Sequence, residues 1–364
     1  MLDYHGTKLN GLFPELIIHP GETIKEILND RNMSQEELAT RTGFSPKHIS
    51  EVISGKKDGS SRFANKLEYA LGIATSFWIN LQGIYDREII ELENVNNIET
   101  NELEALKELK DITNYCENNN ITSTETAKSK QVLNMRMFLN VNDLTVIPNL
   151  PIKQVAFRTS SKHKINIYVL YSWQKICHHY TNKISVESEF NKELLKSKLE
   201  DIKKTMFLEV SDMTKELEKI FKECGIAFAV VPHFKGAPVQ GFIQKTNSKV
   251  ILCMTIRQSF SDIFWFTLFH EIGHLINDDI SNNFIDFTFE NDEELEADKF
   301  ASNILIPDKD YNKFITKGEL DEASINNFSI KHNVKPGILV GRIQRDIDDY
   351  TFLTHLRDRY TWAE

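Results

Sequence analysis

The residues best suited to chemistry in this sequence are His270, Glu271 and His274, in the run FTLFHEIGHLI. On a helix, positions four apart project from one face, so both imidazoles would stand close enough to hold one metal ion. Glu271, beside the first histidine, would reach a water at that ion as a general base. The motif alone says little, and its surroundings carry the reading. Phe264, Trp265, Phe266, Leu268 and Phe269 make the segment apolar enough for a buried helix, and Gly273 permits a neighbouring element to approach closely. Farther on, Glu294 and Asp298 share a helical face in the run ELEAD. Glu294 would close a tripod of two histidines and one carboxylate. Asp298 would accept a hydrogen bond from a ligand histidine and so fix its tautomer. Glu293 and Glu296 are rival ligands. Glu296 lies about 200° around the helix from Glu294, and its partner one turn on is Phe300 rather than Asp298. Three protein ligands leave a fourth position for water, the pattern of a catalytic Zn2+ site used in metal-assisted hydrolysis. Tyr311, His332 and Arg342 are downstream candidates for stabilising an oxyanion.

Composition bounds the rest. The chain has 364 residues, is 41% hydrophobic and 26% charged, which suits two or three domains and excludes wholesale disorder. A formal net charge of −10 excludes a general nucleic-acid coat, so any DNA contact must be local to one domain. Cys116, Cys177, Cys224 and Cys253 are scattered without C-x-x-C spacing, which argues for reduced, buried thiols rather than a disulfide framework or a zinc ribbon. No apolar run of about 18 residues is present and the start, MLDYHGTKLN, lacks a signal-peptide pattern. A cytoplasmic location and no membrane partner are therefore expected.

The elements that must position the metal ligands follow from local pattern. Helices are expected around 165–182 and 187–224, at SDIFWFTLFHEIGHLIN and at DEELEADKFASNILI up to Pro307. Between them IAFAVVP, PVQGFIQK and SKVILCMT read as three sequential antiparallel strands separated by turn residues. The segment Lys249–Thr255 is a candidate edge strand that would pair with an extended peptide. In the tail, Pro336 and Gly337 read as turn residues. Residues 87–149 are rich in Glu and Asn, with Leu103, Leu106 and Leu109 near helical spacing, and read as a solvated helical linker with one amphipathic face.

The front of the chain carries different signals. Ser34 can cap SQEELATRTG with Glu37 three residues on, Gly43 ends that helix, and Ser45 caps PKHISEVIS with Pro46 in its first turn. Two short helices around a tight turn form a helix-turn-helix, with one helix before it and two after. The second helix of such a unit enters the major groove, and its early residues Ser45, Lys47, His48, Ser50 and Glu51 would meet base edges. Lys56, Lys57 and Arg62 are better placed for phosphates. Between Arg41 and Lys66 stand six basic residues against Glu51 and Asp58, so positive charge gathers where this fold would put double-stranded DNA.

The paired motifs FWFTLFHEIGH and ELEADKFASNILIP resemble the ImmA/IrrE family of zinc metallopeptidases. That resemblance implies zinc at His270, His274 and Glu294, with Glu271 as general base. Members often act on a helix-turn-helix repressor. HPGETIKEIL, MSQEELATRTGFSPKHISEVISGKK and LGIATSFWINLQGIYD are similar to HigA-type antitoxins of the XRE/Cro helix-turn-helix family. The expected architecture is α+β: an extension over 1–18, an all-helical helix-turn-helix domain over 19–86, the linker over 87–149, and a zincin-like domain over 150–364 with a small antiparallel sheet and the HExxH helix. The expected function is a dimeric regulator that binds an inverted-repeat operator and cleaves a protein, either a partner repressor or itself. Two other classes of function also fit: an antitoxin, paired with a toxin, whose peptidase domain only senses, and a peptidase whose helix-turn-helix recruits a protein substrate.

Overall fold

A computed structural model describes residues 17–150, 156–159, 165–246, 249–277 and 292–362. Most of the extension over 1–18 therefore lies outside the described residues. Contacts divide the chain into two compact units: Met1–Glu104 with Ser123–Met135, and Ala105–Thr122 with Arg136–Glu364. Among the described residues no helix is long and apolar enough to cross a membrane.

The first unit opens with α1 (Pro20–Asp30), α2 (Gln35–Thr42), α3 (Pro46–Ile53), α4 (Ser61–Leu71) and α5 (Thr75–Asn96). Their punctuation is written in the sequence. Ser34 Oγ accepts from the Glu37 amide at 3.0 Å, Gly43 closes α2 in the left-handed region at φ 72°, and Ser45 Oγ accepts from the His48 amide at 3.2 Å. The capping box is met on its Ser34 side, while the Glu37 carboxylate takes Arg41 at 2.6 and 3.0 Å. Ile24, Leu38, Ile49, Val52, Phe63, Leu67 and Trp78 form the core. A side chain at Gly21 would collide with the Val52 carbonyl, so this glycine lets α1 start against the end of α3.

Residues 87–149 are not the solvated spacer expected. α5 runs through the expected boundary at 86, followed by α6 (Thr100–Glu108), α7 (Lys110–Asn118) and α8 (Lys128–Leu139). Leu106, Leu109, Ile112 and Cys116 are buried at a helical spacing, and Leu139, Leu144 and Ile147 are buried beyond them. Their apolar stripe packs into the second unit, where Tyr115 and Tyr180 share a hydroxyl hydrogen bond of 2.7 Å. The amphipathic face is the one that Leu106 and Leu109 mark in the sequence; what their spacing does not tell is that it is buried.

The second unit is built on a four-stranded sheet in the order β1-β3-β4-β2, with β1 Ala156–Thr159, β2 Ile226–Val230, β3 Val239–Lys245 and β4 Val250–Met254. The sheet is mixed, which corrects the antiparallel expectation. β3 pairs antiparallel with both β1 and β4, whereas β2 pairs parallel with β4, Ile226 opposite Val250 through Val230 opposite Met254. β4 is thus paired on both sides and every residue of it is buried, so it cannot receive an extended peptide. β3 is also interior. The uninterrupted apolar run VILCM is the mark of a strand covered on both faces.

Around the sheet lie α9 (Ile167–Asn182), α10 (Lys192–Ser197), α11 (Leu199–Lys204), α12 (Val210–Glu223), α13 (Ser261–Asn277), α14 (Asp292–Leu305), α15 (Asp308–Lys317), α16 (Glu322–Lys331) and α17 (Pro336–Ile347). The helix expected over 187–224 is broken into α10, α11 and α12. The breaks at Lys198 and Leu208–Glu209 let Leu195, Ile202, Met206, Met213 and Leu217 all reach one core. Pro336 and Gly337 open α17 instead of forming a turn, because proline at the first helical position lacks only an amide that would be unpaired anyway. α13 packs on β3 and β4 through the same core, contributing Phe264, Trp265, Leu268, Phe269 and Ile272. All four cysteines are free and buried, and burial pushes the Cys116 thiol up to about 12.

Candidate functional site

α13 presents His270 and His274 from one buried face, and α14 brings Glu294 to them. The two Nε2 atoms are 3.0 Å apart, Glu294 Oε2 is 3.2 Å from His270 Nε2, and Oε1 is 3.6 Å from His274 Nε2. Ligand atoms of a tetrahedral zinc shell, with bonds of about 2.0–2.1 Å, stand roughly 3.3 Å from one another. One donor atom from each of the three residues lies within 4.8 Å of the other two, close enough for small side-chain adjustments to bring them onto one ion, and their chemistry suits zinc.

Several neighbours hold this arrangement. Asp298 Oδ1 lies 2.7 Å from His270 Nδ1, so His270 can carry its proton there and turn the Nε2 lone pair toward Glu294. Gly273 allows α14 to close on α13: a Cβ there would stand 3.2 Å from Ala297 Cα. Glu271 is 2% exposed and lies against β3, where a side chain at Gly241 would collide with its Oε1. Gly241 belongs to the site, and sequence reasoning missed it. The available signal was a glycine inside an otherwise regular strand, which often marks a close approach. Glu296 is exposed and stands outside the cluster, and the Glu293 side chain lies outside the described residues.

Of the oxyanion candidates, none joins the His–Glu cluster. Tyr311 donates to Asp346 Oδ2 at 2.5 Å, and burial raises its pKa. Arg342 packs over the Tyr311 ring at 3.8 Å and donates to the Ile306 carbonyl and Asp308. His332 lies tilted against the Phe328 ring at 4.4 Å, and burial lowers its pKa.

In the first unit, Ser45, Lys47 and Ser50 are exposed along α3, with Lys56, Lys57 and Arg62 exposed just beyond it. Lys47 and Glu51 form a loose pair at 3.7 Å. His48 is placed differently. Its ring stacks on Phe44 at 4.5 Å and meets Phe63 edge-on, with Nε2 buried, so it packs the turn of the helix-turn-helix. Burial, then Lys57, lowers its pKa.

The helix-turn-helix family matches residues 24–78, and the IrrE N-terminal-like domain matches 261–343, which include all three donors. The chain is 32% identical over 66 residues to YddM, an uncharacterised HTH-type transcriptional regulator of Escherichia coli K12, covering 18% of this chain and 70% of that protein. It is similar to a solved putative antidote protein of a plasmid maintenance system from Nostoc punctiforme, at 36% identity over 21% of this chain and 84% of that one, with a TM-score of 0.21. A HigA-family addiction-module antidote protein from Coxiella burnetii matches at 27% identity, 22% and 89% coverage, and a TM-score of 0.21. The chain belongs to the helix-turn-helix transcriptional regulators, and a separate part of it, carrying the histidine–glutamate cluster, is an IrrE N-terminal-like domain.

Proposed function

We propose that this regulator binds an inverted-repeat operator as a homodimer and carries a zinc-dependent endopeptidase that cleaves a regulatory protein, or a copy of itself, in response to a signal. The observation that supports the enzymatic half is the convergence of His270, His274 and Glu294 beside the buried Glu271. When bound, zinc supplies Lewis acidity to a carbonyl and lowers the pKa of water toward neutrality. Glu271 takes the proton of the attacking water and delivers it to the leaving nitrogen. Asp298 keeps the His270 ring in one tautomer, and Gly241 leaves room for the Glu271 carboxylate. The decisive experiment offers the purified chain its own promoter and the proteins encoded around it. The parent chain is expected to footprint an inverted repeat and cut one of those proteins or itself. Glu271→Gln should footprint equally and cut nothing. Cutting by both chains would remove the peptidase from this protein.

Gly241→Ala should keep zinc and DNA affinity while displacing Glu271, lowering cleavage tenfold or more and stability by about 1–3 kcal/mol. Metal analysis beside a cleavage assay checks this, and full activity in the variant would place Glu271 elsewhere during turnover.

At the DNA face, Lys56→Ala with Lys57→Ala should weaken binding evenly across operator variants. The salt slope should fall by about 2, one for each phosphate that no longer meets a lysine. Lys47→Ala or Ser50→Ala should instead change which bases are preferred. Anisotropy titrations at several salt concentrations separate the two effects. Unchanged affinity and preference in all four positions would move the DNA face off α3.

A further inference from the structure

The seam between α13 and α14 continues past the metal ligands. Phe266 and Thr267 stand one turn ahead of His270 and Glu271 on α13, and Ser302 stands one turn beyond Asp298 on α14. With α17 and Gln240, the neighbour of Gly241, they line a cavity of about 230 Å³. This cavity is therefore continuous in sequence pattern with the metal centre: the same stripes of the same two helices, displaced by one turn.

Three arginines reach it, and they are not equivalent. Arg342 is bonded to Asp308 and to the Ile306 carbonyl. Arg357 holds Asp262 in a two-pronged pair at 2.8 Å. Arg345 is exposed and lies over the Phe266 ring at 5.0 Å, and among the described residues no carboxylate lies within ion-pair distance of it. Among the described residues the wall is thus an aromatic ring under a guanidinium that no carboxylate pairs, on a chain whose formal net charge is −10. An arginine in this setting favours a carboxylate, which it can grip with two N–H donors, while Phe266 and Ile338 offer apolar surface to the stem that carries it.

We infer that this cavity is a specificity pocket for a carboxylate on an apolar stem, and that in a peptide substrate it receives a glutamate side chain near the scissile bond. The substrate assignment rests on the peptidase reading; the affinity for the anion does not.

The test has two arms. In the first, full-length Glu271→Gln protein is titrated with 4-phenylbutyrate and with its neutral amide, followed by ligand-observed NMR. The acid should bind saturably and the amide about tenfold more weakly or less, and Arg345→Gln should weaken the acid about tenfold. The acid should still bind to His274→Ala protein, which separates the pocket from coordination at the metal centre. Equal binding of acid and amide, or no effect of Arg345→Gln, overturns the pocket. In the second arm, the zinc-loaded parent chain digests a proteome-derived peptide mixture. Cleaved bonds should be enriched in glutamate at one fixed position, and Arg345→Glu should move that enrichment to lysine and arginine. Cleavage without such enrichment overturns the substrate assignment alone. No cleavage, with Arg345-dependent binding of the acid, overturns the peptidase reading and the substrate assignment, and leaves the carboxylate site standing.

Discussion

His274→Ala protein should leave dialysis with almost no zinc, where the parent chain retains about one ion per chain. The reason is coordination number. Among the described residues His270, His274 and Glu294 are the three donors that converge, and removing one leaves a pair that water outcompetes. The size of the effect can be ranked. Asp298 reaches the site through His270 Nδ1 rather than as one of the three donors, and loss of such a supporting hydrogen bond weakens metal binding about 10–100-fold. Asp298→Ala should therefore retain part of its zinc under conditions in which His274→Ala retains none. Glu271→Gln should retain all of it and lose about 10²–10⁴-fold in cleavage, the usual worth of a positioned general base. Metal content by mass spectrometry, measured on all three variants after the same dialysis, checks the ranking. Full zinc in His274→Ala would mean that the ligands are not these, whatever the fate of activity.

The parts of this site that could be read from sequence were those in which local periodicity does the positioning. His270 with His274, and Glu294 with Asp298, are each one helical turn apart, and the turn of a helix guarantees their common face. The caps of α2 and α3 were legible for the same reason, because Ser34, Gly43 and Ser45 act on amides within three or four residues. What was not legible depends on partners distant in sequence. Gly241 matters only because α13 lays Glu271 against β3, and nothing within PVQGFIQK specifies that. Strand order failed likewise. Adjacent strands in the chain suggest a meander, yet β2 pairs with β4 and leaves β3 on the other side. The run VILCM held the clue, since a strand with one solvated face alternates and this one does not. The position of His48 on α3 suggests a base reader, but Phe44 and Phe63 claim its ring. The helix over 187–224 is broken without glycine or proline, by the need to turn five apolar side chains into one core.

Arg357→Met should destabilise the second unit by about 3–5 kcal/mol, the cost of stranding one partner of a buried ion pair. Arg357 and Asp262 are only 6% and 10% exposed, and Gly341 has no side chain where the Asp262 carboxylate sits. The pair is costly even when intact. Burial raises the Asp262 pKa more than Arg357 lowers it, so the carboxyl stands above its ordinary 3.8. The folded chain thus holds this proton more tightly than the unfolded chain does. That contribution to stability is fully present below about 3.8, the unfolded value, and is lost as pH rises through the raised folded value. Replacing both members by apolar residues removes the desolvation cost together with the attraction. Asp262→Leu with Arg357→Met should accordingly lie closer to the parent than Arg357→Met alone. It should not reach it, because the buried Gln344 Oε1 loses the Arg357 donor 2.8 Å away, a loss worth about 1–3 kcal/mol. Urea unfolding of the four chains of the cycle, at neutral pH and again in the acidic range, reads both effects. The cycle should be strongly non-additive. On acidification toward about 3.8, the parent should also gain on the double variant, which has no carboxyl to protonate there. A double variant as unstable as the sum of its singles would show that Asp262 and Arg357 act on the fold separately, each through its own neighbours.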